Sequence, residues 1–500
     1  MFDNATWWVI TVLVIDILIR ALAVIIVPRN RRPTSGMAWL LAIFFLPSLG
    51  VVLFLIIGSP KLPRKRRKVQ AEINEFIKSV TENDHHDDPD APQWFNSLTE
   101  LNSNLGALPL LEGNGATLLG GYQETLDAMT AEVETATAYV HVQFYILSLD
   151  ATTEPFFDAL ERAVARGVHV NVLLDHWASM RKPYSRETRE RLTAMGASWE
   201  LMLPLQPLKG KLQRPDLRNH RKILIIDGRV GYMGSLNLID RTYNMKSNIK
   251  RGLKWKELVA RVEGPVVAAL DAIFISDWFS ETGQVIRDGV KRAEYADSAT
   301  SFSELGPAFI DPHDVRGDLQ AQIVPSGPGF EGENNLRLFL GMLYSAQERI
   351  VITSPYFVPD ESLMFAVTTA VQRGVPVDLF VSEIGDQALV YHAQRSYYEQ
   401  LLRAGVRIYL YPAPYILHAK HFTIDSDVAL IGSSNMDMRS FGLNMEVSML
   451  IRGESFVRDM RAVEDGYRSI SRELTLEEWM RQPLRSTVLD NLARLTSALQ

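Results

Sequence analysis

The 500-residue chain contains no cysteine, which excludes disulfide bridges, thiolate nucleophiles and Cys-based zinc or iron–sulfur sites. Carboxylates are scarce at its start: residues 1–70 hold ten Lys or Arg against two Asp or Glu, a balance of +8. The whole chain carries −7, so the remainder carries −15. Enzymes that work on nucleic acid are usually basic across the working part. Here the positive charge sits beside apolar segments, which points to lipid head groups and away from nucleic acid. A hydrophobic share of 47% and a charged share of 22% are ordinary for a globular enzyme. The length allows two or three units of roughly 150 residues.

Two apolar runs open the chain. Thr6 to Val27 is long enough to cross a bilayer. Asp16 and Arg20 interrupt it four residues apart, so they share a helix face and can pair. Trp7 and Trp8 suit an interfacial belt. No basic segment precedes this run and no small-x-small site follows it, which argues against a cleaved signal peptide. The second run, Met37 to Gly58, contains Pro47, Ser48 and Gly50 near its middle. Arg29, Arg31 and Arg32 precede it, and Lys61, Arg64, Lys65, Arg66, Arg67 and Lys68 follow it. Both flanks therefore ask for the same, cytoplasmic, side. A re-entrant hairpin bent at Pro47–Gly50 meets that demand, whereas two ordinary spans leave one flank on the disfavoured side.

The expected organisation is a membrane anchor over 1–68, a linker over 69–103, and two similar halves over 104–300 and 301–500. In the linker, the cluster Asp84, His85, His86, Asp87, Asp88 has metal-ligand residue types, but a polar, Pro-containing stretch reads as a solvated connection. Beyond it the text repeats: 128–146 matches 342–358, 159–175 matches 366–382, and 196–204 matches 405–413. Each copy alternates an amphipathic helix with an apolar, β-branched strand, which predicts an α/β architecture with a largely buried sheet. The offset between copies shortens near 205–218, where the first half has a basic insertion that reads as a surface loop.

The chemistry lies in a doubled pattern, His-x-Lys-x4-Asp-x6-Gly-Ser-x-Asn. One copy is His220, Lys222, Asp227, Ser235, Asn237 and the other is His418, Lys420, Asp425, Ser433, Asn435. Two histidines are what a double displacement at phosphorus needs: one attacks and forms a phosphohistidine, the other moves the proton. The lysines and asparagines can hold non-bridging oxygens, and Ser235 and Ser433 can add hydroxyl donors. The reading calls for no metal and no cofactor. A neutral, oriented imidazole also wants an acceptor behind it. Aligning the strands after each motif sets Glu257 opposite Glu446, and each is assigned to orient one histidine. Asp227 and Asp425 complete the motif but fall at a turn, so they read as hairpin anchors more than proton carriers. His141, His169, His176 and His421 lack this context, and core or surface roles suffice for them.

With these residues in view, the chain resembles the phospholipase D superfamily and, within it, the bacterial cardiolipin synthases. The similarity is carried by 218–228, 324–329, 352–363, 417–426 and 432–447, and extends to the apolar segment near the N-terminus. It implies two phospholipase D-like α/β halves sharing one active site behind N-terminal transmembrane helices. It further implies phosphatidyl transfer between two phosphatidylglycerol molecules, giving cardiolipin and glycerol. On the same basis His220 is the nucleophile and His418 the acid/base, phospholipids are the partners, and the place is the bacterial inner membrane with the catalytic part cytoplasmic. The alternative is a membrane-anchored phospholipase D that delivers the phosphatidyl group to water. Two departures stand out: Gly234-Ser235-Leu236-Asn237 where the family usually has Gly-Gly-x-Asn, and Glu257 where it usually has Asp.

Overall fold

The computed structural model describes residues 4–29, 31, 33–59, 61–63, 66–72, 75, 90–206, 214–284, 286, 317–330 and 332–495. The His85–His86 cluster, most of the basic insertion and the expected boundary at 300 lie outside them. Two compact units result, one formed by residues 1–62 with 213–216, the other by the rest.

In the smaller unit, helix α1 (Asn4–Ile26) is apolar all round, with Asp16 and Arg20 paired at 2.7 Å. Its Trp7–Ile26 stretch is the one helix among the described residues long and apolar enough to cross a membrane. The second run divides into α2 (Pro33–Phe45) and α3 (Pro47–Ile57). Pro47 has no N–H to continue α2 and pushes Leu46 out of helical geometry. The chain folds back there. A Cβ on Gly50 would lie 2.7 Å from the Ala42 carbonyl oxygen, and the rings of Trp39 and Phe54 meet edge-on at 5.5 Å. Arg31 donates to the Gly58 carbonyl and stacks 4.6 Å from the Phe54 ring centroid, so the start of α2 and the end of α3 are tied together.

Among the described residues, the larger unit is organised by a 16-stranded sheet and two separate two-stranded pairs, which together use twenty strands. The first half contributes β1 (Leu110–Leu119), β2 (Tyr139–Phe144), β3 (His169–Asp175), β4 (Ser198–Met202), β5 (Arg218–Asn219), β6 (Lys222–Ile226), β7 (Val230–Gly234), β8 (Lys254–Lys256) and β9 (Val259–Glu263). The second contributes β10 (Leu319–Ser326), β11 (Ile350–Thr353), β12 (Phe357–Val358), β13 (Val377–Ser382), β14 (Arg407–Tyr411), β15 (Tyr415–Leu417), β16 (His421–Ile424), β17 (Val428–Gly432), β18 (Met436–Asp437), β19 (Asn444–Arg452) and β20 (Arg472–Leu474). The order β4-β3-β2-β6-β7-β9-β1 runs outward to inward in the first half, and β14-β13-β11-β16-β17-β19-β10 mirrors it in the second. Antiparallel pairing of β1 with β10 joins them at the middle. The repeat in the sequence is thus a repeat in space: β2–β3–β4 and β11–β13–β14 are parallel, and the strands that bear the motifs are antiparallel hairpins.

Strands such as β19, with VSMLI at 447–451, and β6, with KILII, are buried on both faces, which is why they read as continuous apolar text without alternation. Each half has its own core, with Phe156, Phe157 and Leu160 in the first and Phe339, Leu401 and Phe422 in the second. Burying one such side chain contributes about 1.5–3 kcal/mol. One departure from the expected organisation is clear. Residues 93–104, inside the stretch read as linker, form helix α4 (Gln93–Asn104), and its Phe95 and Leu98 belong to the second-half core. The amphipathic spacing of Phe95, Leu98 and Asn102 carries this, since all three face the same buried side.

Candidate active site

The two motif histidines open onto one cavity of about 610 Å³, lined also by Asn237, Asn435, Tyr145 and Tyr356. How they arrive there is set by two short parallel pairings between the halves. β5 pairs with the start of β19, and the His220 N–H donates to the Met445 carbonyl at 2.8 Å. β8 pairs with β15, and the His418 N–H donates to the Lys256 carbonyl at 2.7 Å. The residue after Met445 is Glu446 and the residue after Lys256 is Glu257. Each histidine is therefore delivered next to the carboxylate of the opposite half.

His220 Nδ1 lies 3.0 Å from both Glu446 carboxylate oxygens. His418 Nδ1 lies 2.9 Å from both oxygens of Glu257. A neutral imidazole that donates Nδ1–H to the carboxylate leaves Nε2 with its lone pair toward the cavity. Burial pushes the His220 pKa down to about 4, with Glu446 opposing and Lys222 and Lys420 assisting. His418 is lowered for the same reasons, Glu257 opposing. Burial alone would raise both glutamates, but the facing imidazole and the nearby lysines bring each below the usual carboxylate value. The resting pairs are thus carboxylate with neutral imidazole.

The lysines are buried beside the histidines. Lys222 Nζ donates to the His220 carbonyl at 2.5 Å. Lys420 Nζ donates to the His418 carbonyl at 2.7 Å and stands 3.2 Å from His418 Nε2, at the reactive edge itself. Burial lowers Lys222 to about 7 and Lys420 to about 8, with the glutamates holding them up. An arriving phosphate diester would restore their charge.

Ser235 and Ser433, expected to add hydroxyl donors to the phosphate, are not among the residues that line the cavity. Both are fully buried. Ser433 Oγ donates to Glu446 Oε2 at 2.5 Å and accepts the Val447 N–H at 3.0 Å. Ser235 Oγ accepts the Leu258 N–H at 2.9 Å and also hydrogen-bonds Glu257. The hydroxyls brace the carboxylates, which explains their presence in both copies. The preceding glycines permit it, since a Cβ on Gly234 or Gly432 would sit 2.4 Å from the Leu258 or Val447 carbonyl oxygen. Asn237 donates to Tyr243 Oη at 2.9 Å and accepts the Ile146 N–H at 3.2 Å. Asn435 lies beside Asp437.

The motif aspartates stand at the far end of the strand from the histidines and do not act at the cavity. Asp227, at φ 52°, accepts N–H groups from Thr137, Ala138 and Tyr139, each at 2.8 Å. Asp425, at φ 49°, accepts those of Gln347, Glu348 and Arg349. They are anchors that hold each motif hairpin to the entry of β2 or β11, a correction to any catalytic role for them. His141 is buried against Asp271 and His421 lies near Glu464, both away from the cavity.

Other residues at the site were not singled out by sequence. Tyr145 packs edge-on to His220 at 4.8 Å, and Tyr356 stands edge-on to His418 at 6.4 Å. Burial keeps both phenols protonated, raising Tyr145 to about 12. The repeat held part of the signal, because each copy carries a tyrosine shortly after its matched strand, in VHVQFYI and in VITSPYFV. Arg221 is a buried asymmetry: it pairs with Asp277 and donates Nε–H to the Glu446 carbonyl at 3.0 Å, whereas the second copy has Ala419.

Comparison with known proteins agrees with this geometry. The family described as "Cardiolipin synthase, PLD-like domain" matches residues 129–278 and 339–464. Cardiolipin synthase A of Pectobacterium carotovorum subsp. carotovorum (strain PC1) is 30% identical over 487 residues, covering 97% of this chain and 96% of that protein. Cardiolipin synthase A of Serratia proteamaculans (strain 568) is 31% identical over 490 residues, with the same coverage. Among solved structures, phosphatidylserine synthase of Haemophilus influenzae Rd KW20 shares the fold, with a TM-score of 0.60 at 14% identity over 82% of this chain and all of that one. The matched segments fall one in each half and contain both histidines, so the chain belongs to the phospholipase D-like cardiolipin synthase family, a family of phosphatidyltransferases.

Proposed function

We propose that the chain transfers a phosphatidyl group between two phosphatidylglycerol molecules through a phosphohistidine. The observation that carries this is the pair of imidazoles in one cavity, each backed by a carboxylate from the opposite half. His220, held neutral to about pH 4, suits the nucleophile. His418, across the same cavity and backed by Glu257 at 2.9 Å, suits the proton-handling partner.

His220 Nε2 attacks the phosphorus of the first phosphatidylglycerol, and the bond from phosphorus to the head-group glycerol oxygen breaks. His418, which takes up a proton from solvent as the anionic phosphodiester binds, gives Nε2–H to that oxygen, and glycerol leaves. A hydroxyl of the second phosphatidylglycerol then gives its proton to His418 and attacks phosphorus. The P–N bond breaks, His220 regains its lone pair, and cardiolipin is released. Lys222 and Lys420 balance charge building on the non-bridging oxygens, and Asn237 and Asn435 position them. Glu446 and Glu257 fix the ring orientation and offset the imidazolium charge.

The membrane reading follows the same chemistry. α1 crosses the bilayer, and α2 with α3 forms a re-entrant hairpin, since at 13 and 11 residues neither alone spans a hydrocarbon core of about 30 Å. The Arg31–Gly58 contact supports both flanks lying on one side, which the basic residues make cytoplasmic. Residues 1–68 act as the anchor and the two halves as the catalytic body.

The test is purified full-length protein with phosphatidylglycerol in mixed micelles, its lipid products resolved. Cardiolipin with an equal amount of glycerol is expected. Phosphatidic acid without cardiolipin would make it a hydrolase, and no turnover would overturn both. His220→Ala and His418→Ala should each abolish transfer.

A further inference from the structure

The mouth of the catalytic cavity has features that the chemistry of the histidines does not use. Met245 and Leu389 line the cavity, yet they are 44% and 51% exposed, which places them at its opening. Ile249, 57% exposed, follows Met245 by one turn on the helix Lys246–Arg251. Met180, also exposed, ends the helix His176–Met180 just before Arg181, another lining residue. Lys182 Nζ reaches to 3.8 Å from Met245 Sδ, which ties the segment after Met180 to the same rim. Single exposed aliphatic side chains are ordinary, but four from three separate elements around one opening are not.

The exposed charge on the segments that carry Met180, Met245 and Ile249 has one sign. Arg181, Lys246, Lys250 and Arg251 are exposed on the same segments. The carboxylates that line the cavity are Asp386 and Asp437. Asp386 takes the Tyr356 hydroxyl at 3.0 Å on both oxygens, and Asp437 caps the helix that follows it. Aliphatic side chains interleaved with Lys and Arg are what a surface needs to rest at the head-group level of an anionic bilayer.

We infer that this rim is a membrane-docking surface: Met180, Met245, Ile249 and Leu389 enter an anionic bilayer and hold the cavity mouth against it. This rests on the reading of the substrates as membrane phospholipids. It gives a lipid a route from the bilayer to His220 without its acyl chains crossing water. The docking belongs to the catalytic body itself and is additional to any anchor.

The absence of cysteine makes a direct test available, since one introduced cysteine is a unique labelling site. Full-length Ile249→Cys, carrying an environment-sensitive fluorophore, is reconstituted into phosphatidylglycerol-containing vesicles with spin-labelled lipid. Glu348→Cys is the control, because it is exposed and lies at the other end of β11 from Tyr356. Quenching at 249 is expected to exceed that at 348 by about two-fold or more, as for a side chain at acyl-chain depth. Equal quenching at the two positions overturns the proposal. In a second arm, Ile249→Glu is expected to lose about ten-fold of its turnover on bilayer phosphatidylglycerol while keeping turnover of a monomerically dispersed short-chain analogue. Unchanged bilayer turnover, or an equal loss on both substrates, overturns it as well. The quenching arm needs no turnover, so it stands or falls separately from the assignment of the reaction.

Discussion

Replacing Glu446 by Gln removes one negative charge and almost no volume from behind His220. The carboxylate is fully buried, and both its oxygens face Nδ1 at 3.0 Å. A hydrogen bond to a charged partner contributes about 1.5–3 kcal/mol, or roughly ten- to a hundred-fold in rate if it is fully used in the transition state. The amide adds a second loss. It can turn its NH2 toward Nδ1, which favours the tautomer with the proton on Nε2 and so removes the attacking lone pair. At a histidine oriented by a carboxylate, that change costs on the order of 10⁴ in kcat. The expected fall in Glu446→Gln therefore lies between about 10² and 10⁴. The assay is cardiolipin formation in mixed micelles, with thermal unfolding of each variant as a control for folding. The crossed pairing makes a sharper demand through double-mutant cycles. Because His220→Ala has no transfer left to lose, the cycle is read in thermal unfolding, where the double variant should lose less stability than the sum of the two single variants. Residual activity within three-fold of the parent for Glu446→Gln would refute the reasoning, since it would mean that the carboxylate does not set the tautomer.

Two further outcomes follow from the same geometry. Asp227→Ala leaves three backbone N–H groups without their acceptor, and should lower stability by about 1–3 kcal/mol in thermal or denaturant unfolding, while activity per folded molecule stays near that of the parent. A loss of kcat without a loss of stability would contradict its place as an anchor. In the pH profile of kcat/KM, protonation of the depressed His220 sets an acid limb near pH 4, because the neutral imidazole is the attacking form. Loss of the His418 proton, together with deprotonation of Lys222 near pH 7 and Lys420 near pH 8, sets the alkaline limb, because the imidazolium is the general acid and the charged ammonium is the form that holds phosphate. The alkaline limb should move upward in kcat, where bound phosphate stabilises both ammonium groups; an alkaline limb at the same pH in both profiles would remove the lysines from phosphate binding.

The identity of the reacting groups was legible in the primary structure because the evidence for them is local. A motif written twice at one spacing, with 17 residues from His220 to Asn237 and from His418 to Asn435, needs no tertiary information to be noticed. The two-half α/β architecture was legible for a related reason, since helix and strand periodicities are properties of short windows. The turn position of Asp227 and Asp425 already marked them as anchors. α4 was less legible, because its burial depends on a second-half core more than 200 residues away.

What tertiary structure decided was who faces whom. Glu446 follows His418 in the same copy of the repeat, and Glu257 follows His220, yet each carboxylate holds the other copy's histidine. No local pattern encodes that exchange. It arises because β5 pairs with β19 and β8 with β15, contacts between residues more than 150 positions apart, in a body whose two halves are joined by β1 and β10. The same long-range packing buries Ser235 and Ser433 behind the glutamates, where a reading by residue type had set them on the substrate. The chain text determined which groups do the chemistry, and the closure of one half upon the other determined their partners, their protonation and the cavity they share.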